Sequence, residues 1–180
     1  FLLLFSFQTP SWADDISDFE IEGMSIGDSL LDYFSKKEIK DNTNTNYYTN
    51  NTYTSVSFNK LPVFEIYESV EFNYKTDDKK YIIAAIAGGL FCEENIEKCN
   101  KKQKEIDLEL SNMLKKSQRV DDNGKHSADE SGKSTFLHIN FWLISGDVVV
   151  IELVDWFEKI TNEKGWTDNV NVSFRTEEFN

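Results

Sequence analysis

The longest helical pattern in the chain covers residues 92–116, and the sequence on both sides of it is typical of β-strands. Apolar or small residues recur in it at three- and four-residue spacing, which places them on one side of a helix. These residues are Cys92, Ile96, Cys99, Ile106, Leu110, Met113 and Leu114. The pattern predicts an amphipathic helix that packs its apolar side against a sheet.

The two cysteines of the chain, Cys92 and Cys99, lie at the start of this pattern. On one continuous helix their Cα atoms would be about 10 Å apart, beyond the roughly 7 Å that a disulfide can span. A bridge therefore requires Cys92 to precede the helix, with Asn95 as a suitable N-cap. Export would favour the bridge, and the alternative is a pair of free, buried thiols.

Alternating apolar and polar residues, or short apolar runs, indicate the strands. Predicted strands cover residues 53–58, 63–74, 81–87, 136–144, 148–154 and 170–174. Gly146 in a short turn predicts a hairpin between the fourth and fifth of these, and the pair Gly88 and Gly89 predicts a bulge or bend.

The helix and strand patterns together predict an α+β fold in which an antiparallel sheet of about six strands packs against one long central helix. A short N-terminal helix is predicted from the spacing of Ile26, Leu30 and Phe34, with Lys36 and Lys37 in its last turn. Residues 41–52 and 119–134 are rich in polar turn formers, so they are predicted to be flexible loops.

The first thirteen residues, FLLLFSFQTPSWA, contain an apolar run followed by Ser11 and Ala13, the small side chains that signal peptidase requires. This predicts a signal peptide over 1–13, truncated at its start, and one domain over 14–180 that is exported to the periplasm or secreted. A transmembrane helix is the rival interpretation. The apolar run is far shorter than the roughly 20 residues needed to cross a bilayer.

The formal net charge is −13, which opposes binding to nucleic acid or to an anionic membrane. A cationic protein or cell-envelope component is the better-matched partner. Three tyrosines, Tyr47, Tyr48 and Tyr53, lie among Asn and Thr residues in a composition that resembles recognition loops. The alternative origin of this loop is a low-complexity bias of the genome.

Two resemblances rest on short segments. The segments GMSIGDSLLDYFSKKEI, FCEENIEKC and WTDNVNVSF resemble uncharacterised exported, periplasmic proteins of AT-rich Gram-negative bacteria, which implies export and no particular activity. Residues 23–30, GMSIGDSL, are similar to the opening motif of envelope domains akin to β-lactamase-inhibitor proteins and outer-membrane assembly lipoproteins. In that family a helical pair packs on an antiparallel sheet. The chain lacks the second motif copy and the Gly-Pro that usually follows the helix.

No catalytic, cofactor-binding or metal-binding residue is predicted. The segment SGKS at 131–134 ends like a phosphate-binding loop, but Ser127 stands where its first glycine belongs and a strand follows it. The polar residues of the same stretch miss the spacing of a calcium loop. They are Asp121, Asp122, Asn123, His126, Asp129 and Glu130. Neither His126 nor His138 belongs to a hydrolase motif.

The absence of catalytic motifs, together with the predicted export and the acidic composition, predicts a non-catalytic periplasmic binding or envelope-interaction protein. The alternative is a small secreted hydrolase that uses a pair of carboxylates among the 32 acidic residues of the chain.

Overall fold

The computed structural model describes residues 15–45, 51–92 and 95–180. The predicted signal peptide, Tyr47 and Tyr48 lie outside the described residues. The α-helices are α1 (Lys36–Asp41), α2 (Ile96–Met113) and α3 (Glu158–Lys164). The strands are β1 (Glu20–Ile21), β2 (Met24–Ser25), β3 (Tyr53–Asn59), β4 (Ser69–Lys75), β5 (Ile83–Phe91), β6 (Gln118–Lys125), β7 (Thr135–Trp142), β8 (Val148–Asp155) and β9 (Asn169–Arg175).

The fold is a mixed α/β structure dominated by one antiparallel sheet of seven strands, in the order β3-β4-β5-β9-β8-β7-β6. The short strands β1 and β2 form a second sheet. Two three-stranded meanders, β3 to β5 and β6 to β8, therefore flank β9. The last strand of the chain joins them at the middle of the sheet.

One face of the sheet, the core face, is apolar and covered. Helix α2 packs mainly against β8 and β9, and its buried residues include Cys99, Ile106 and Leu110. The N-terminal segment covers the other half, where the Phe34 ring stacks on Phe58 with their centroids 4.1 Å apart. The prediction of an antiparallel sheet with helices is confirmed. The prediction of one long central helix is wrong, because the core face is divided between α2 and the N-terminal segment.

The N-terminal helix begins later than predicted. Ser35 and Glu38 form a reciprocal capping box, so α1 starts at Lys36, which the sequence had placed in a last turn. Residues around Leu30 form a single 3₁₀ turn capped by Ser29. The cap decides the boundary, because it satisfies amide groups that the apolar spacing does not take into account.

The segment predicted as a loop over 119–134 contains strand β6, which pairs with β7 along its full length. Six consecutive residues of β6 are exposed, since it is the outer strand of the sheet. A strand that is exposed on both faces has no apolar alternation, so the sequence pattern failed to indicate it.

Gly88 and Gly89 lie inside the regular strand β5 rather than at a bulge. A Cβ atom at Gly88 would lie 2.5 Å from the ring of Tyr67, which covers this glycine on the core face. The carboxylate of Glu22 accepts hydrogen bonds from the backbone amides of Glu65, Ile66 and Tyr67. The N-terminal segment thereby holds the Tyr67 ring over the sheet.

None of the helices in the described ranges is long and apolar enough to cross a membrane.

Candidate binding face

The second face of the sheet, the polar face, carries the side chains that alternate with the core. One cross-strand row shows its character, because six polar residues and one glycine follow one another across all seven strands. The row consists of Asn59, Ser69, Gly89, Asn171, Glu152, His138 and Asp122. The longest described helix, α2, packs on the opposite face, so this row borders a surface on which a ligand can lie.

Strand β5 forms the floor of a trough in the polar face. Its residues on this face, Ala85, Ala87 and Gly89, are small, whereas the neighbouring strands carry longer polar side chains. A cavity of about 780 Å³ lies over Ala87 and Gly89, and a second one of about 320 Å³ lies over Ala85 and Ala87. A Cβ atom at Gly89 would clash with Ser69 Oγ and lie 2.8 Å from Asn171 Oδ1. Any larger residue at this narrow point requires these two side chains to move.

The wall on the β3 and β4 side is a hydrogen-bonded polar network. Asn44 Nδ2 donates to Ser55 Oγ at 2.8 Å and to Ser57 Oγ at 2.7 Å. Ser57 Oγ and Asn73 Nδ2 both donate to the carboxylate of Glu71, at 3.4 and 3.3 Å. These contacts hold the wall side chains in fixed positions, as a preformed binding site requires.

The wall on the β8 and β9 side contains Glu152 between two donors. His138 Nε2 lies 2.8 Å from Glu152 Oε1, and Asn171 Nδ2 donates to Glu152 Oε2 at 3.2 Å. Burial alone would raise the pKa of Glu152, but the hydrogen bonds from His138 and Asn171 outweigh it and hold this pKa below its ordinary value. Further along β9, Arg175 Nε donates to Ser173 Oγ at 3.1 Å. The trough thus contains the positively charged guanidinium of Arg175 as well as carboxylates.

The two trough carboxylates lie on different strands. Glu71 lies on β4 and Glu152 on β8, three strand spacings apart. Their backbones are therefore about 14 Å apart across the sheet. Each carboxylate is hydrogen-bonded to side chains of its own wall.

Next to the trough lies a row of four aromatic rings, the aromatic shelf, formed by Phe136, His126, Trp156 and Trp166. The His126 ring lies 4.3 Å from Trp156 and 6.5 Å from Phe136, and Trp156 lies 4.6 Å from Trp166, measured between centroids. His138, which contacts Glu152 in the trough wall, also lies 4.6 Å from Phe136. The shelf and the trough therefore form one continuous surface.

The phosphate-loop-like segment at 131–134 is already occupied by a side chain of the protein. The Asp129 carboxylate accepts hydrogen bonds from the backbone amides of Ser131, Lys133 and Ser134, and from Ser134 Oγ. Hydrogen bonds from Ser131 and Ser134 hold the pKa of Asp129 well below its usual range. Amides that a phosphate would need are bound to this internal anion.

The remaining predicted site residues in the described ranges are the two cysteines and Tyr53. Cys92 and Cys99 form the disulfide, with Cα atoms 5.6 Å apart, and Asn95 caps α2 as predicted. Tyr53 begins β3, and its hydroxyl donates to the Glu178 carbonyl near the C-terminal end of the chain. Burial raises the pKa of Tyr53. Within the described ranges, no three His, Cys, Asp or Glu side chains are grouped to hold a metal ion.

Sequence reasoning missed the trough and the shelf. One signal was present, since the run AAIAGG places small residues at every second position of β5, and such residues mark a strand that something approaches closely. The shelf had no sequence signal, because its rings come from four separate segments. Comparison of the chain with known protein families, curated proteins and solved structures finds no match. The resemblances drawn from short segments stay predictions.

Proposed function

We propose that this is a non-catalytic, exported binding protein whose ligand lies in the trough of the polar face. The observation that carries the proposal is the trough itself, a cavity of about 780 Å³ with a small-residue floor and hydrogen-bonded polar walls. Its volume is in the range of ordinary ligand sites, about 300 to 1,000 Å³. The Cys92–Cys99 disulfide supports export, because such bridges persist in oxidising compartments.

The chemistry of the walls favours binding over hydrolysis. Glu71 and Glu152 are each hydrogen-bonded to neighbouring side chains, and three strand spacings separate them. The Asn, Ser, Glu and Arg side chains that line the trough include both hydrogen-bond donors and hydrogen-bond acceptors. A hydrophilic ligand, free or part of the cell envelope, is the class that such walls hold.

The proposal is tested by filling the trough. Ala87 lines both cavities, so Ala87→Trp places a large side chain on the floor, whereas Ile144→Trp adds the same side chain at a site that is 86% exposed. Both variants and the unmodified protein are titrated by NMR with maltohexaose, spermine, pentaalanine and glycerophosphoethanolamine. We expect at least one probe to give saturable shifts that Ala87→Trp abolishes and Ile144→Trp retains.

Two outcomes would overturn the proposal. If all four probes leave the spectrum unchanged at millimolar concentration, or if Ala87→Trp binds as well as Ile144→Trp, the trough is not a ligand site. If the probe is converted to product in a manner that requires Glu71 or Glu152, the protein is a hydrolase instead.

A further inference from the structure

We infer that the ligand is a neutral oligosaccharide, held by hydroxyl contacts in the trough and by stacking on the aromatic shelf. This inference rests on the proposed function and names the chemical class of the ligand. The observation behind it is that the polar trough and the aromatic shelf form one continuous surface. His138 joins them, because it contacts Glu152 on one side and the Phe136 ring on the other.

The shelf is partly accessible, and the Lys164 ammonium lies 4.3 Å from the centroid of Trp166 at its outer end. Trp166 is 36% exposed, and Trp156, His126 and Phe136 are half-buried. Successive centroids along the shelf are 4.3 to 6.5 Å apart, so the four rings form one contiguous cluster. None of these four residues belongs to the hydrophobic core on the other face.

A pyranose ring has two kinds of surface, and this site matches both. Its C–H groups form an apolar face whose hydrogens carry partial positive charge, and they are attracted to the negative face of an aromatic ring. Its hydroxyls both donate and accept, as do the Asn and Ser side chains of the trough. The carboxylates of Glu71 and Glu152 can accept hydrogen bonds from sugar hydroxyls, and the Arg175 guanidinium can donate hydrogen bonds to sugar hydroxyls.

Other occupants fit less well. Single-stranded nucleic acid also stacks on aromatic rings, but it needs a basic groove, and the chain has a net charge of −13. A bound peptide needs an open strand edge or apolar pockets for its side chains. The trough lies on the face of the sheet between paired strands, and mostly polar side chains line it.

The tilt of the rings indicates the form of the saccharide. Trp156 is inclined by 52° to His126 and by 55° to Trp166, and His126 is inclined by 87° to Phe136, so the shelf is twisted rather than flat. A flat crystalline polysaccharide needs coplanar rings. A twisted platform suits a single soluble chain, whose successive sugar units rotate relative to one another.

The test uses tryptophan fluorescence and calorimetry with maltohexaose, cellohexaose and chitohexaose as soluble probes. Two variants, Trp166→Ala and Trp156→Ala, each remove one ring of the shelf. Trp142→Ala is the matched control, because Trp142 lies on the same face of β7 outside the shelf and is 38% exposed, as against 36% for Trp166. We expect at least one hexasaccharide to bind, about tenfold more weakly to each shelf variant and unchanged to the control.

The outcomes separate this inference from the proposed function. If no hexasaccharide binds at millimolar concentration, while Ala87→Trp abolishes the binding of another probe, the trough binds a different class of ligand and the saccharide inference is wrong. If a hexasaccharide binds equally to the shelf variants and to Trp142→Ala, the shelf is not its platform. Equal melting temperatures for the three tryptophan variants exclude unfolding as the cause of lost binding.

Discussion

The two faces of the seven-stranded sheet carry different kinds of interaction. On the core face, Phe72, Phe174 and Ile151 are fully buried under α2 and the N-terminal segment. On the polar face, Ser55, Asn73 and Ser173 are also buried, but their surroundings are side-chain hydrogen bonds. Apolar burial stabilises the fold directly, whereas a buried polar network contributes little net free energy.

This difference indicates which face holds the fold and which face is available for recognition. A sheet needs one apolar face to be stable, and the core face meets that need. A smooth and fully solvated polar face would leave this apolar core intact, with only small losses of stability. The polar face has instead a fixed network around a cavity, which is an arrangement that a binding site requires and stability does not.

The largest effect is expected from substitution on the core face. Phe174 is fully buried in the central strand, 5.1 Å from the Phe19 ring, so Phe174→Ala should lower the free energy of unfolding by about 3–5 kcal/mol. Ser173 is its neighbour on the polar face, and Ser173→Ala should cost about 1 kcal/mol or less. Urea unfolding of both variants measures the contrast. Equal losses would contradict the assignment of stability to the core face.

The disulfide should contribute the next largest effect, since it pins the start of α2 to the end of β5 on the core face. Closing so short a loop lowers the entropy of the unfolded chain, and reduction should cost about 2–3 kcal/mol. Urea unfolding with and without reductant measures this loss. The double variant Cys92→Ala/Cys99→Ala should not respond to reductant. If the unmodified protein is equally unresponsive, the bridge does not stabilise the fold.

On the polar face, stability should depend on pH through Glu152. Its folded pKa is lowered, so the ionised carboxylate stabilises the fold above the unfolded pKa, near 4.3, and this contribution is lost as the pH falls through the folded value. Glu152→Gln should cost about 1–2 kcal/mol at neutral pH and progressively less below about pH 4.3. Unfolding of the protein and the variant from neutral to acidic pH tests this. Glu130→Gln, at an exposed carboxylate, is the control, and a difference that is constant with pH would refute the assignment.

The smallest effect is expected at the outer end of the shelf. The Lys164 ammonium lies 4.3 Å from the centroid of Trp166, and an exposed contact of this kind contributes about 0.5–1 kcal/mol. Trp166→Ala and Lys164→Ala should each lower stability by no more than about 1 kcal/mol, and the double variant should cost less than their sum. Thermal unfolding gives all three values. A much larger loss at Trp166 would show that the shelf belongs to the core.

Local patterns in the sequence predicted the elements whose stability depends on near neighbours. The spacing of Cys99, Ile106 and Leu110 indicated α2, and Gly146 indicated the β7–β8 hairpin. The separation of the cysteines indicated that a bridge would require Cys92 to precede α2, and the structure has this arrangement. Where exposure removed the pattern, as in β6, the prediction failed. The same limit applied to the N-terminal helix, whose start is set by hydrogen bonds between Ser35 and Glu38.

By itself, the sequence determined the type of structure, an antiparallel sheet with an amphipathic helix, because these follow from spacings of a few residues, and it left open whether the two cysteines are bridged. Only the tertiary structure decided the strand order that places β9 between two meanders. That order brings Glu152, His138 and Asn171 together from three strands, and the shelf likewise joins rings from four segments. Such contacts depend on pairings between distant segments, whose register is set by the packing of the whole sheet rather than by any one segment.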